Sequence, residues 1–277
     1  MASIQDFNVE IESNRPPIVL AIAGFDPSGG AGILADVKTI SAFRCYGLAA
    51  ITSLTFQNTE RVFGVRHQSR ETLRRQLAPL FDDFDITAIK TGMLPTSAII
   101  EEVAASIRSR GVKHLVVDPV LRSSSGYDMI DEDAIGELIV QLFPLAEIVT
   151  PNSAEAERIS GVQIHDDASR ERAAEKLQSL GPRAVLITGG DADGDMVTDF
   201  LLDEDGPVAF TASRIHTLNT HGTGCTLSSA LACLLARGYS MRNAVQVAKN
   251  YVTEAIGTGP AIGHGRRPLS DFPPNPD

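Results

Sequence analysis

A disulfide framework is missing from this chain of 277 residues. Its three cysteines, Cys45, Cys225 and Cys233, are odd in number and scattered, which predicts a reducing compartment. Basic residues are in deficit: 24 Lys and Arg stand against 35 Asp and Glu, a net charge of −11. That balance argues against a nucleic-acid backbone or an anionic membrane as the main partner, but leaves room for a small anionic ligand at a locally positive site. No apolar run approaches the roughly 20 residues that span a bilayer. The opening "MASIQDFNVEIESNRPP" lacks the basic and apolar blocks of a signal peptide, so a cytoplasmic location is expected. Internal repeats, linkers and low-complexity blocks are absent as well. One domain is therefore expected over 17–272, between a polar tail at 1–16 and a second tail at 273–277.

What is present is an alternation of short apolar strands and amphipathic helices. At 43% hydrophobic, the chain can bury a large core. "IVLAIAG" (18–24) reads as a buried strand, and residues 32–43 place Ile33, Leu34, Val37, Ile40 and Phe43 on one helical face. Strands are expected at 48–58, 88–94, 114–120, 147–152 and 184–190, with helices at 70–84, 96–110, 131–142 and twice within 153–180. Continuous apolar strands separated by helices imply a parallel sheet covered on both faces. A hairpin at 195–213 breaks the pattern, and helices near 223–237 and 241–257 close the chain.

In open parallel sheets ligands bind beyond the carboxyl ends of the strands, and the informative segments lie there. "HGTGCT" opens the helix at 223. Gly222 and Gly224 let main-chain N–H groups converge, and the helix start adds its dipole, which suits phosphate and predicts a thiolate-leaning Cys225. A plain glycine turn with a packed cysteine has the same signature. "AGFDPSGGAGILAD" is neither a Walker A loop nor a dinucleotide fingerprint. It reads as close backbone approach to a small substrate, with Asp36 as a polar handle, or as a tight turn with a solvated aspartate. Asp118 and Glu155 follow successive strands and could serve magnesium beside nucleotide phosphates. His216, His221 and Cys225 match no zinc spacing. "DADGD" (191–195) reads as an acidic surface turn, Arg74–Arg75 as a solvated face, and "GTGPAIGHGRRP" (257–268) as a loop at the edge of a nucleotide pocket or merely a loop.

Together, "AGFDPSGGAGILADVKT", "QNT", "KTGML", "VVDPV", "TPNSAEA" and "NTHGTGCTLSSALA" resemble, in order, the ribokinase-like superfamily. Within it they are similar to the hydroxymethylpyrimidine and hydroxymethylpyrimidine-phosphate kinases of thiamine biosynthesis. The resemblance implies a three-layer α/β/α fold with a mainly parallel central sheet. It also implies ATP-dependent phosphorylation of a primary alcohol with Mg2+, a place for a monovalent cation, and a homodimer. It assigns Gly222, Thr223, Gly224 and Cys225 to the anion hole, with Cys225 where related sugar kinases place an aspartate base. Gln57 would bind the pyrimidine, with Gly24, Asp36 and Met93 in the same pocket. Asn152 and Thr188 would lie on the nucleotide, and Asp118 and Glu155 near the metal. Two positions depart from the family pattern: Thr188 and Asp191 stand where lysine and histidine are usual, and Phe25 where a small hydroxyl residue is usual. The small-molecule acceptor is expected to be the hydroxymethylpyrimidine and its phosphate. A pyridoxal kinase of the same superfamily is the second reading, and a catalytically weak pyrimidine or nucleotide sensor the third.

Overall fold

The computed structural model describes residues 15–123, 126–190 and 194–272. Positions 1–14 and 273–277 of the two expected tails, and Asp191, lie outside the described residues. The first half runs β1 (Ile18–Phe25), α1 (Gly32–Ala42), β2 (Tyr46–Gln57), β3 (Val62–His67), α2 (Arg70–Asp83), β4 (Ala88–Thr91), α3 (Ser97–Arg110) and β5 (His114–Val117). The second runs α4 (Ala134–Glu137), β6 (Ile148–Val149), α5 (Ser153–Ser160), α6 (Asp167–Gln178), β7 (Ala184–Ile187), β8 (Met196–Asp203), β9 (Gly206–Ser213), α7 (Thr223–Ala236) and α8 (Met241–Gly257).

One nine-stranded sheet takes the order β3-β2-β1-β4-β5-β6-β7-β8-β9. From β2 to β7 neighbouring strands are parallel, whereas β3, β8 and β9 pair antiparallel. This is the expected α/β/α architecture with a mainly parallel sheet. β4, β5, β6 and β7 are shorter than the apolar runs suggested, because residues past each carboxyl end splay into loops, whereas β1 and β2 run at about the expected length. The expected helix at 131–142 is a single α turn continued by a π turn, Leu138–Leu142, and a 3-10 turn, Phe143–Leu145, that carries Pro144.

Period-two alternation sorts the strand side chains between two layers. Leu20, Ile22, Ile89, Leu115, Val117, Val185 and Ile187 pack with α2 to α6, around the fully buried Phe143. Val19, Ala21, Ala88, Val116, Ala184 and Leu186 pack with α1, α7 and α8. By the same alternation Lys90 follows Ala88, Asp118 follows Val116 and Thr188 follows Leu186 onto the α7 side. Chain order reverses around β1, which has β2 on one side and β4 on the other. Such a reversal opens a crevice at the carboxyl ends of the strands.

Candidate active site

A cavity of about 830 Å³ occupies that crevice and extends along the carboxyl edge to β8 and β9. One end begins where β1 ends. Asp26 is 3% exposed, and its carboxylate accepts hydrogen bonds from Ser28 N at 2.8 Å, Ser28 Oγ at 2.9 Å, Ala31 N at 3.0 Å and His221 Nε2 at 2.8 Å. Burial alone would raise its pKa, but the bonds from His221, Gln57 and Ser28 outweigh it and hold the group at about 2. The loop from β1 to α1 and the loop into α7 interlock through glycines. A Cβ on Gly30 would overlap the His221 ring, and one on Gly222 would overlap the Gly30 carbonyl. Gly222 has φ +86°, a conformation that glycine adopts without strain. Gly24, Gln57 and Met93 line this end, and a Cβ on Gly24 would come within 2.9 Å of Met93 Sδ.

No side chain caps the 14-residue helix α7. The main-chain N–H groups at Thr223, Gly224 and Cys225 therefore open the helix with its positive dipole end toward the cavity, the arrangement that binds phosphate. Asp118 faces them: a Cβ on Gly224 would lie 3.7 Å from Asp118 Oδ2. Burial pushes the Asp118 carboxyl up to about 6, partly offset by Lys90. The expected thiolate at Cys225 is not what the structure supports. Burial pushes that thiol up to about 12, and the nearby Asp36 and Asp118 add to the effect against Lys90. Desolvation and two carboxylates outweigh the helix dipole, so the thiol stays protonated.

Asp36 is corrected too. It is neither a solvated loop charge nor in the cavity wall, but fully buried behind α7. There Lys90 Nζ lies 2.8 Å from its Oδ1, Ser229 Oγ donates at 2.9 Å to the same oxygen, and Oδ2 has no partner. Lys90 is the residue that sequence reading passed over. It is completely buried, and a Cβ on Gly92 would approach its Nζ to 2.9 Å, so glycine leaves room for the ammonium. Burial works against this charge, but the carboxylate of Asp36 first, with Asp118, holds its pKa above the ordinary lysine value. A lysine inside the apolar strand "AIKT" was the available signal, since full burial of lysine requires a partner.

The other end of the cavity, at β6 and β7, is built differently. Asn152 caps α5 by accepting Glu155 N at 2.9 Å, and Glu155 returns Oε2 to Asn152 N at 3.0 Å while Oε1 accepts Leu121 N at 3.2 Å. Both Glu155 oxygens thus hold main-chain N–H groups, which leaves Asp118 the freer of the two candidate metal carboxylates. Thr188 is bridged to Asn152 and lines the cavity. Lys249 Nζ lies 2.7 Å from Asp199 Oδ2, whose Oδ1 accepts Gly189 N at 2.9 Å, so a buried ion pair sits beside the position where the usual lysine is absent. The glycine loop at 257–268 packs on Thr59 just past β2, through His264 N to Thr59 Oγ1 at 3.1 Å, rather than beside Asn152 and Thr188. Arg74 is tied to Glu102 at 2.7 Å instead of being simply solvated. Among the described residues no helix is long and apolar enough to cross a membrane.

An uncapped glycine helix start above a buried lysine–carboxylate cluster, on this sheet order, defines a phosphotransferase of the ribokinase-like fold. Residues 26–270 match the sequence pattern of the phosphomethylpyrimidine kinase family, and the chain belongs to that family. It is 44% identical over 258 residues to a hydroxymethylpyrimidine/phosphomethylpyrimidine kinase of Rhizobium meliloti, covering 92% of this chain and 97% of the relative. Among solved structures, a phosphomethylpyrimidine kinase from Clostridium difficile is 41% identical with a TM-score of 0.77, covering 87% of this chain and 99% of that one. The Staphylococcus aureus pyridoxal kinase in complex with AMP-PCP and pyridoxal is 31% identical with a TM-score of 0.86, covering 93% of this chain and 94% of that one.

Proposed function

We propose that this kinase transfers the γ-phosphoryl group of ATP to 4-amino-5-hydroxymethyl-2-methylpyrimidine and then to the resulting monophosphate. The observation that carries the reading is the uncapped start of α7, with Gln57 at one end of the same cavity and Thr188 and Asn152 at the other. The ring binds against Gln57, Gly24 and Met93, where an amide can both donate to and accept from an aminopyrimidine edge. The N–H groups of Thr223, Gly224 and Cys225 hold the oxygens of the transferring phosphoryl group. Phosphoryl transfer passes through a loose transition state, so fixed donors aimed at its spreading charge matter more than early removal of the alcohol proton. That suits a protonated Cys225, which is no resting base and lies against the reacting oxygens. The second transfer has a phosphate oxygen as nucleophile and needs no base at all.

The donors also fit a magnesium–nucleotide complex. Asp118 supplies one hard oxygen, phosphates and waters can supply the remainder, and Glu155 orients the α5 cap beside them. Magnesium, when bound, neutralises charge on the phosphate oxygens. The same reading carries a monovalent-cation dependence, a homodimer and a cytoplasmic location, the first two checked by potassium titration and light scattering. Pyridoxal phosphorylation is the second reading. The fold matches the S. aureus pyridoxal kinase with the higher TM-score of the two solved structures above, although at lower identity.

The deciding assay is ADP release with Mg-ATP and, in parallel, hydroxymethylpyrimidine, its monophosphate and pyridoxal. Turnover of both pyrimidines well above pyridoxal is the expected result. Preference for pyridoxal moves the assignment to the second reading, and ligand binding without turnover of any of the three moves it to a sensor.

A further inference from the structure

We infer that His221, oriented by Asp26, is the base that takes the proton of the acceptor's primary alcohol as the phosphoryl group is transferred. The inference rests on the function proposed above and deepens it. Transfer to an alcohol releases a proton, and the groups described so far have no place for it. The Cys225 thiol is already protonated, Asp36 is paired with Lys90 behind α7, and Asp118 is taken by the metal in that reading. His221 directly precedes Gly222, the residue that opens α7, and it lines the same cavity.

Three contacts fix the histidine. Its Nε2 lies 2.8 Å from Asp26 Oδ2, its main-chain N donates to Arg267 O at 3.0 Å, and the Cδ2 edge of the ring packs on Gly30, where an added Cβ would overlap it. Asp26 is ionised, and an ionised carboxylate only accepts, so Nε2 must be the nitrogen that carries the proton. A neutral imidazole then has its lone pair on Nδ1. That atom has no hydrogen-bond partner among the described residues and is open to water, so the Nδ1 edge is the free edge of a ring in the cavity wall. A buried carboxylate that sets the tautomer and steadies the imidazolium is how histidine serves as a base in the Ser-His-Asp hydrolases. The proton and electrons balance within the site. As the alcohol oxygen bonds to the γ-phosphorus, its O–H bond breaks and the proton passes to Nδ1. The bond from phosphorus to the bridging oxygen breaks with its electron pair, and ADP leaves. The imidazolium returns the proton to water once the product has gone. Transfer to the monophosphate has no such proton to remove, so the dyad matters for the first transfer only.

The test compares kcat for hydroxymethylpyrimidine and for its monophosphate in wild type, His221→Gln and Asp26→Asn. Glutamine keeps an N–H where Nε2 donates but has no atom in place of Nδ1. In His221→Gln, kcat for the alcohol is expected to fall about 10²-fold, the scale of general-base catalysis, with less than about a two-fold change for the monophosphate. Asp26→Asn no longer dictates the tautomer and should show the same split, so either variant decides if the other fails to fold. Equal losses on both acceptors, as a purely structural role gives, overturn the inference while leaving the proposed function standing, and so does a near-wild-type kcat for the alcohol in His221→Gln. A wild type that phosphorylates neither pyrimidine, or the monophosphate alone, overturns the proposed function and this inference with it. Where only the alcohol is a substrate, added imidazole must restore turnover of His221→Ala, and no restoration overturns the inference.

Discussion

On the side of α2 to α6 the central strands present Leu20, Ile22, Ile89, Leu115 and Val117 to helices, and the layer closes around Phe143. On the side of α1, α7 and α8 the same strands present Val19, Ala21, Ala88 and Val116 and, at or just past their carboxyl ends, Lys90 and Asp118. The first face is mainly hydrocarbon, and the buried carboxylate of Glu102 on α3 is matched by Arg70 and Arg74 at the rim. The second face buries an ion pair with one carboxylate oxygen unpartnered, a raised carboxyl and a suppressed thiol, all beneath the start of α7. A buried ion pair is weak evidence for stability, because desolvation offsets the attraction. Both faces pack hydrocarbon, but the groups proposed for phosphoryl transfer belong to the second alone, so a hydrocarbon change on the first face should report on stability and leave turnover of the folded protein untouched.

The largest effect that could break this division comes from Phe143→Ala. It should destabilise the fold by about 3–5 kcal/mol, read as a fall in the denaturant midpoint, while the folded enzyme keeps its kcat. A matching fall in kcat would mean that the hydrocarbon face also sets the site. Gly222→Ala is the converse test. A Cβ there meets the Gly30 carbonyl and tilts the first N–H groups of α7, and kcat should fall about 10²- to 10³-fold, the cost of losing one preorganised oxyanion donor. Near-wild-type turnover in that variant would remove the anion hole from the account.

A smaller effect separates the charges themselves. With the Asp118 carboxyl pushed up to about 6, that group is anionic only above this pH, so kcat/KM should decline below about pH 6, and the residual activity of Asp118→Asn should lack the acid limb. The sign for stability is opposite. The folded protein binds this proton more tightly than the unfolded chain, whose carboxyl titrates near 3.8, so the contribution of this group declines as pH rises from there to about 6. The smallest signal is chemical. Iodoacetamide modification of Cys225, followed on its own peptide, should stay slow at about pH 8, because the thiolate fraction is minute. A rate plateau near neutrality would restore the thiolate.

Much of this was legible in the sequence. The strand–helix alternation gave the layers, and glycines with N-terminal helix signals marked the β1–α1 loop and the start of α7 within a few residues. β3 was missed because "VFGVRH" is short, half-exposed and interrupted by Gly64, so it has no buried face to create a period. The charged cluster was misjudged for a different reason. Asp36 lies on a helix whose exposed and buried sides are decided by α7, nearly 190 residues later, and no local pattern announces that Lys90 and Ser229 will meet it there. Helix-start reasoning about Cys225 failed likewise: the dipole is local and visible, whereas the burial and the two carboxylates that oppose it come from three other elements. Glu155 sat in a legible capping box with Asn152, which takes its Oε2, while the bond from Leu121 N to Oε1 comes from a loop that no local pattern announces.

The most direct test of the division between faces replaces the buried pair itself, as the double variant Lys90→Met with Asp36→Leu. An apolar pair of similar volume satisfies the core without charge, so stability should hold to within about 1 kcal/mol of wild type or improve, whereas Lys90→Met alone, stranding a buried carboxylate, should cost about 3–5 kcal/mol. Turnover measured on the folded double variant decides the matter. The account predicts an intact fold with kcat reduced at least about ten-fold, because the cation beneath the anion hole is gone. A double variant as stable and as active as wild type would show that Lys90 and Asp36 serve only packing, and would contradict it.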